Sequence, residues 1–206
     1  AWALHTLRRQ GGVEIAGLLV TFNQEFQRVS MHGVPRALIE RQAEAAGLAL
    51  WPVELPWPCP NDVFEARMAG ACARAAAAGV EAVAFGDLFL EDVRSYRERQ
   101  MSGTGLEALF PLWGRETAGL AGEMLAGGLR AVTACVDPKR LAADFCGREY
   151  DTQFLSELPH SVDPCGENGE FHTFVYSLPD FAAPVRVEAA GRVTRDGFVY
   201  ADLRPV

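Results

Sequence analysis

At 206 residues and a formal net charge of −8, the chain is long enough for one large domain or two small ones. It is too acidic for nucleic acid to be its main partner, because phosphate binding needs a basic face. With 49% apolar and 22% charged residues it is globular in composition and not disordered. No apolar run approaches the roughly 20 residues that cross a bilayer, and the opening Ala-Trp-Ala-Leu-His does not read as a signal peptide. A cytoplasmic protein without a membrane partner is expected.

Residues 2–10 read as a helix stopped by Gly11-Gly12. Residues 13–20 form an apolar run rich in β-branched side chains, read as a buried strand ending at Thr21-Phe22-Asn23. A helix over 35–46 closes at Gly47, and a second strand over 48–55 precedes a bend at Pro56, Pro58 and Pro60. Asn61 or Asp62 is placed to cap a helix over 63–78, and a third strand, 81–85, opens onto Gly86-Asp87. A helix at 91–101, a strand at 108–111, a helix at 116–126 and a strand at 129–136 follow. Strands alternating with helices imply βαβ units, hence a parallel sheet across 13–136 with helices on both faces. After Asp137-Pro138 come short helical pieces, a polar loop and β-like runs at 171–177, 184–189 and 198–203, with a hairpin signal at Asp196-Gly197. The chain is therefore divided into residues 1–137, an α/β domain, and 138–206, a smaller mixed α+β domain. A parallel α/β domain normally opens with a strand, whereas this chain opens inside a helix, so a leading strand and turn are expected upstream of Ala1.

The five cysteines (Cys59, Cys72, Cys135, Cys146, Cys165) are scattered and form no Cys-x-x-Cys pair, which argues for free and mostly buried thiols over a zinc or redox site. Cys165 stands apart because it lies in the polar loop, Asp163-Pro-Cys-Gly-Glu-Asn-Gly-Glu-Phe-His-Thr-Phe174. There Glu167, Asn168, Glu170, His172 and Thr173 crowd together, with Gly166 and Gly169 free to turn the backbone and bring them to one point. A turn needs Gly, Asn or Asp but has no use for two Glu and a His, so a functional loop is favoured over a solvated hairpin corner.

In open α/β sheets ligands bind beyond the carboxyl ends of the strands, where Thr21, Phe22, Gly86 and Asp87 fall, with His32 in the loop before the second helix. Asp87 can hold a hydroxyl or Mg²⁺ and His32 a phosphate or base, although each taken singly is as readily a turn or a packed side chain. Arg94 and Arg97 belong to a charged stretch that reads first as a solvated helix face, but either guanidinium can reach a phosphate. Trp113, beside Gly114 and Arg115, suits a pocket wall and core packing equally. The Walker A, Gly-x-Gly-x-x-Gly, Gly-x-Ser-x-Gly and His-Glu-x-x-His patterns are missing.

With these pieces in order the chain resembles the diphthine–ammonia ligase family, a branch of the N-type ATP pyrophosphatases. Gly166-Glu-Asn-Gly-Glu-Phe-His-Thr-Phe174 is similar to that family's Gly-Glu-x-Gly-Glu-(Phe/Tyr)-x-Thr signature. Phe85-Gly86-Asp87-Leu88, Pro111-Leu112-Trp113 and Ser30-Met31-His32 look like its strand-end glycine segment, its Pro-(Leu/Ala)-Trp element and its Ser-x-Met-(Phe)-His loop. The family's Ser-Gly-Gly-Lys-Asp-Ser phosphate loop does not occur in the sequence; it would immediately precede Ala1. Two further departures bear on the acceptor: Gly86-Asp87-Leu88-Phe89-Leu90-Glu91 is not the Gly-Ala-Ile-x-Ser run of archaeal and eukaryotic members, and Asn168 stands where they have Gly. The Ala, Gly and Arg content resembles that of a GC-rich bacterial genome.

The resemblance implies a Rossmann-like sheet of the HUP type in a nucleotide-binding domain (1–137), followed by an acceptor domain (138–206). It implies ATP, Mg²⁺, a carboxylate acceptor and ammonia, and allows a homodimer. The implied reaction is AMP-forming amidation: the carboxylate attacks the α-phosphate of ATP, and ammonia then displaces AMP from the acyl-adenylate. Glu167, Glu170 and His172 would be the catalytic residues, the two carboxylates orienting ammonium or pairing with a cationic acceptor and the imidazole serving as a base. Asn168, Gly169, Thr173, Trp113 and Arg115 would face the substrate, while Thr21, Phe22, His32, Gly86 and Asp87 would hold the nucleotide. Two alternatives stay open: a protein that binds adenine nucleotide without ligating anything, and a metal-dependent hydrolase built on Glu167, Glu170 and His172.

Overall fold

Gly11 and Gly12, both in the left-handed region, end helix α1 (Trp2–Gln10) as expected. The next strand begins later than its apolar run suggests. Residues 13–17 form no strand, and β1 spans Leu18–Asn23. Gly17 is the reason: a Cβ there would lie 2.7 Å from the Ala49 carbonyl oxygen, so the backbone passes that point before it enters the sheet. A short β2 (Arg28–Val29), unforeseen from the sequence, folds back antiparallel on the end of β1. Helix α2 (Arg36–Ala45) leads to β3 (Leu50–Leu55), which runs parallel to β1 in register from Leu18↔Leu50 to Asn23↔Leu55. Helix α3 (Asn61–Ala77) starts directly after Pro60 with no side-chain cap; Asn61 bonds to Glu65 and lies inside the first turn. Next come β4 (Ala82–Ala84), α4 (Glu91–Met101) and β5 (Glu107–Leu109), with β4 and β5 paired in parallel.

All 206 residues, Ala1–Val206, are described in this computed structural model, and they form an α/β fold with parallel strand pairs. The single parallel sheet expected over 13–136 is not what forms. The parallel strands make two separate pieces, β2-β1-β3 and β4-β5. After α5 (Thr117–Ala126), strand β6 (Arg130–Val136) joins neither of them. It lies inside an antiparallel sheet of order β7-β6-β9-β8, with β7 at Phe171–Ser177, β8 at Val187–Arg195 and β9 at Phe198–Pro205. All of β6 beyond Arg130 is buried, and a fully buried strand reads as the same apolar run in either kind of sheet. β6 thus precedes residue 137 yet shares its sheet with the strands that follow it. The β8–β9 hairpin turns at Asp196-Gly197, both in the left-handed conformation that a two-residue hairpin requires.

The main core gathers 28 buried residues from both ends of the chain, among them Trp2, Phe22, Leu38, Val136, Phe174 and Leu203. Between β6 and β7 lie a 3₁₀ turn (Ala143–Phe145) and the short α6 (Thr152–Glu157). They contribute a ring cluster in which Phe154, fully buried, packs edge-on against Phe145 and Phe171, each at 5.3 Å. Replacing Phe154 by Ala is expected to cost about 3–5 kcal/mol. Val193→Ala, on an exposed strand, should change stability by less than about 0.5 kcal/mol. Urea denaturation of both variants measures the difference.

Candidate functional site

The polar loop is assembled from its own backbone. Gly166 N–H donates to the Asp163 carbonyl at 2.9 Å, and Gly169 N–H donates to the Gly166 carbonyl at 3.0 Å. The Asp163 carboxylate accepts the Glu167 N–H at 2.8 Å and so closes the loop on itself. Gly166 has φ +71, and a Cβ there would sit 2.6 Å from the Phe171 carbonyl oxygen, so only glycine fits. The loop is held from outside by the buried Tyr150, whose hydroxyl donates to the Pro164 carbonyl at 2.8 Å, and by Cys165, whose thiol donates to the Thr117 carbonyl at 3.4 Å. Burial, with Asp163 and Glu167 nearby, pushes the Cys165 thiol up to about 12, so it is inert as a nucleophile at neutral pH.

Two contacts join this loop and β7 to the strand-end loops of the parallel pieces. Glu167 Oε1 accepts the Leu88 N–H at 2.7 Å and, more distantly, the Phe89 N–H at 3.5 Å. Burial raises the Glu167 pKa, the two amides oppose that rise, and Asp87 adds to it. Farther along, the His32 and His172 rings stack with centroids 4.3 Å apart and planes 10° from parallel. The turn that presents His32 is fixed by Gly33, at φ +69, where a Cβ would overlap the Tyr200 ring. Burial, reinforced by the facing His172, pushes His32 down to about 3, and burial also lowers His172. Both imidazoles are therefore neutral near pH 7.

A third layer follows β4 and β5. Phe85 and Phe110 stack at 5.6 Å, and Trp113 meets Phe110 edge-on at 6.0 Å. Arg94 from α4 lies over Trp113 at 4.7 Å and over Phe110 at 4.9 Å, while Arg97 lies over Phe85 at 5.1 Å and 4.0 Å from Asp87. The Gly114 N–H donates to the Leu88 carbonyl at 2.8 Å and ties this layer to the segment that Glu167 holds. Trp113 thus faces a guanidinium already in place.

The remaining expected residues are distributed less evenly. Thr21 lies in β1 and its carbonyl accepts the Ser30 N–H at 3.1 Å. Phe22, expected to line a nucleotide pocket, is instead fully buried in the main core, with the Arg36 guanidinium 4.9 Å from its ring centre. Gly86 is exposed, and a Cβ there meets nothing within 4 Å. Arg115 reaches away to Glu123 along α5. Asn168 turns back to donate to Glu170, Gly169 forms the turn, and Thr173 pairs with Thr133 across the sheet. Glu170 is 2% exposed; one of its oxygens accepts the Asp163 N–H at 3.0 Å and the Asn168 Nδ2 at 3.1 Å. Glu167, Glu170 and His172 do not share a coordination point, and no group of three or more His, Cys, Asp or Glu side chains is arranged to hold a metal ion. Asp163, Arg140 and Tyr150 were not anticipated at the site. Arg140 donates to the Asn168 carbonyl at 3.0 Å. Of the three, only Asp163, four residues before Glu167, carries a local turn signal. No helix is long and apolar enough to cross a membrane.

The histidine pair gives the fold a defined acid response. Above the ordinary histidine pKa of about 6.5 both rings are neutral whether the chain is folded or unfolded, and the pair adds no pH dependence. As the pH falls below that value, the unfolded chain takes up protons that the folded chain refuses until about pH 3, so stability is lost across that interval. His32→Gln should therefore keep more of its pH 7.5 melting temperature at pH 5 than the parent does. An identical pH profile in both proteins would mean that the stacked pair protonates in the folded state.

Residues 117–202, which include α5, the antiparallel sheet through most of β9 and the whole polar loop, match the family model described as the diphthamide synthase C-terminal domain. A diphthine–ammonia ligase of Danio rerio is 29% identical over 130 residues, which cover 60% of this chain and 51% of that protein. A diphthine–ammonia ligase of Bos taurus is 28% identical over 129 residues, 60% of this chain and 48% of that protein. The chain spans about half the length of the curated relatives it matches. The matched domain lies over the polar loop and over the sheet that carries His172, and the chain is similar to diphthine–ammonia ligases over that region and beyond it.

Proposed function

We propose that this chain acts in the ATP-dependent, AMP-forming amidation of a carboxylate, with diphthine as the acceptor and ammonia as the nitrogen donor, the two substrates named in its vertebrate relatives. The observation that carries the reading is the meeting of two groups of residues far apart in sequence. Glu167 grips the segment after β4, and His172 stacks on His32 from the segment after β2. Strand-end loops of parallel pieces are where α/β proteins bind nucleotides, so a nucleotide at that edge would lie beside the polar loop. ATP bound there would present its α-phosphate to a carboxylate held by the loop, pyrophosphate would leave, and ammonia would displace AMP from the adenylate.

The residues of this chain divide that work. Residues 1–137 bind the nucleotide through Gly86, Asp87, Thr21 and His32, and residues 138–206 bind the acceptor. Glu167 positions the Leu88 segment, and neutral His172 offers a lone pair near neutral pH. Mg²⁺ in nucleotide sites is held by one or two carboxylates together with substrate phosphates. Asp87 fits that role, because its only ionic neighbour is Arg97 at 4.0 Å. When bound, the ion neutralises phosphate charge. The HUP-type sheet belongs to the same proposal: β4 pairs only with β5, and β1 has no strand beside Leu18–Thr21 on the side away from β3, so one added parallel strand between β1 and β4 unites the two pieces.

The test uses the intact protein with ATP, a diphthine-bearing substrate and ammonium chloride. AMP and pyrophosphate should form one-for-one with amide, and Asp87→Ala should weaken ATP binding by about tenfold, the scale of one lost charged contact. ATP binding without acceptor-dependent AMP would make the protein a nucleotide binder and not a ligase.

A further inference from the structure

Arg94 and Arg97 stand three residues apart on α4 and make different use of the same guanidinium. Arg94 is committed: its Nε donates to Glu98 Oε1 at 2.8 Å, and its guanidinium lies over Trp113 at 4.7 Å and Phe110 at 4.9 Å. Arg97 lies over Phe85 at 5.1 Å and makes no hydrogen bond. Its nearest carboxylate oxygen, Asp87 Oδ2, is 4.0 Å from Nε, which is too far for one. Nε is buried and out of any ligand's reach, but neither terminal nitrogen is buried with it. The Arg97 side chain is 30% exposed and that of Asp87 17%, so solvent reaches both.

The neighbours narrow what this guanidinium can hold. Stacking on Phe85 fixes its orientation, and its terminal nitrogens form a fork that matches two oxygens of a phosphate or a carboxylate. Asp87 decides between them. A free carboxylate would meet the Asp87 charge beside the cation it seeks, and the pair as a whole carries no net charge to attract an anion. A ligand with adjacent positive and negative centres satisfies both members: a divalent ion suits Asp87, and phosphate oxygens suit Arg97. The place agrees with that chemistry. Phe85, Gly86 and Asp87 directly follow β4, and the carboxyl ends of parallel strands are where α/β folds bind nucleotides.

We infer that Arg97 binds the oxygens of a magnesium-chelated phosphate, next to the ion that Asp87 holds, whereas Arg94 serves only to brace Trp113. The choice of phosphate rests on the nucleotide site of the ligase reading; the unbonded guanidinium beside Asp87 does not.

Inorganic pyrophosphate, a product of the proposed reaction, is the probe, titrated calorimetrically into the intact protein with and without Mg²⁺. With Mg²⁺ present, Arg97→Ala should weaken pyrophosphate binding about tenfold. Arg97→Lys keeps the charge without the fork and should recover only part of that loss. With the metal chelated away, Arg97→Ala should still weaken binding, whereas Asp87→Ala should not, because Asp87 then only repels the anion. If Arg97 merely positioned Asp87, its loss would change nothing without metal, and that result overturns the assignment. So does an Arg97→Ala protein that binds magnesium pyrophosphate as tightly as the parent, or a parent that binds none. Should Arg97→Ala fail to fold, Arg97→Gln, which keeps a polar side chain there, carries the same expectations. Arg97-dependent pyrophosphate binding without acceptor-dependent AMP would retain this site and defeat the ligase reading; acceptor-dependent AMP formation with KM for ATP unaltered in Arg97→Ala would do the reverse.

Discussion

The hydrogen bond from the Leu88 amide to the Glu167 carboxylate sets the relation between the parts of this molecule. An ionised acceptor makes it roughly twice as strong as a neutral backbone bond, and its partial burial limits competition from water. The two residues come from segments that sequence separates by 79 positions, so the bond has meaning only once the antiparallel sheet and the β4–β5 piece have both formed. It also links protonation to position. Burial favours the neutral acid and the amides favour the anion, so any ligand that shifts the Leu88 segment alters the charge on Glu167, and the converse holds by linkage.

Around that bond the halves are held unequally. Helices α1 and α2 are fastened to the C-terminal part by Arg8, which donates to both Ala46 and Asp180, by His5 with Asp180, by Gln42 on the Val175 carbonyl and by the Ala182 amide on Ala45. Trp2 lies against α5 so closely that a Cβ at Gly127 would sit 2.6 Å from its ring. The layer of α3, α4, β4 and β5 has no comparable set of bonds. The buried residues of α3, with Met101 and Leu106, fall into two clusters of four, one of them shared with Val53 and Leu55 of β3, and Leu88 and Leu112 join the main core. Few buried apolar contacts mean a low local opening energy.

Much of this was legible in the sequence because it follows from local rules. The helices, the strand ends and the Asp196-Gly197 hairpin came from periodicity and from the conformational freedom of glycine. The polar loop stood out by composition, since two Glu and a His have no part in making a turn. What stayed hidden depends on distant partners. β6 was assigned to the wrong sheet because a run of buried residues carries no record of its neighbour's direction. Phe22 was misread because a strand end and a core position look alike until Arg36 is seen over its ring. The His32–His172 stack joins residues 140 apart by position, and neither carries a local signal of the other.

The sequence presents Glu167 and Glu170 as equivalents, two acids on either side of Asn168-Gly169, and chemistry assigned from residue type alone would give them one job. Hydrogen-bond accounting separates them. A carboxylate whose oxygen receives a 2.7 Å backbone donor has its charge committed to structure, and moving a proton onto that oxygen would break the bond that orders the loop. A carboxylate with one oxygen bonded by two neutral donors is held in place by it, while its other oxygen is buried without a partner. The same accounting explains the glycine that precedes them. Gly166, pressed against the Phe171 carbonyl, forces the backbone to turn, and the turn directs Glu167 toward the Leu88 segment while Glu170 goes into the interior.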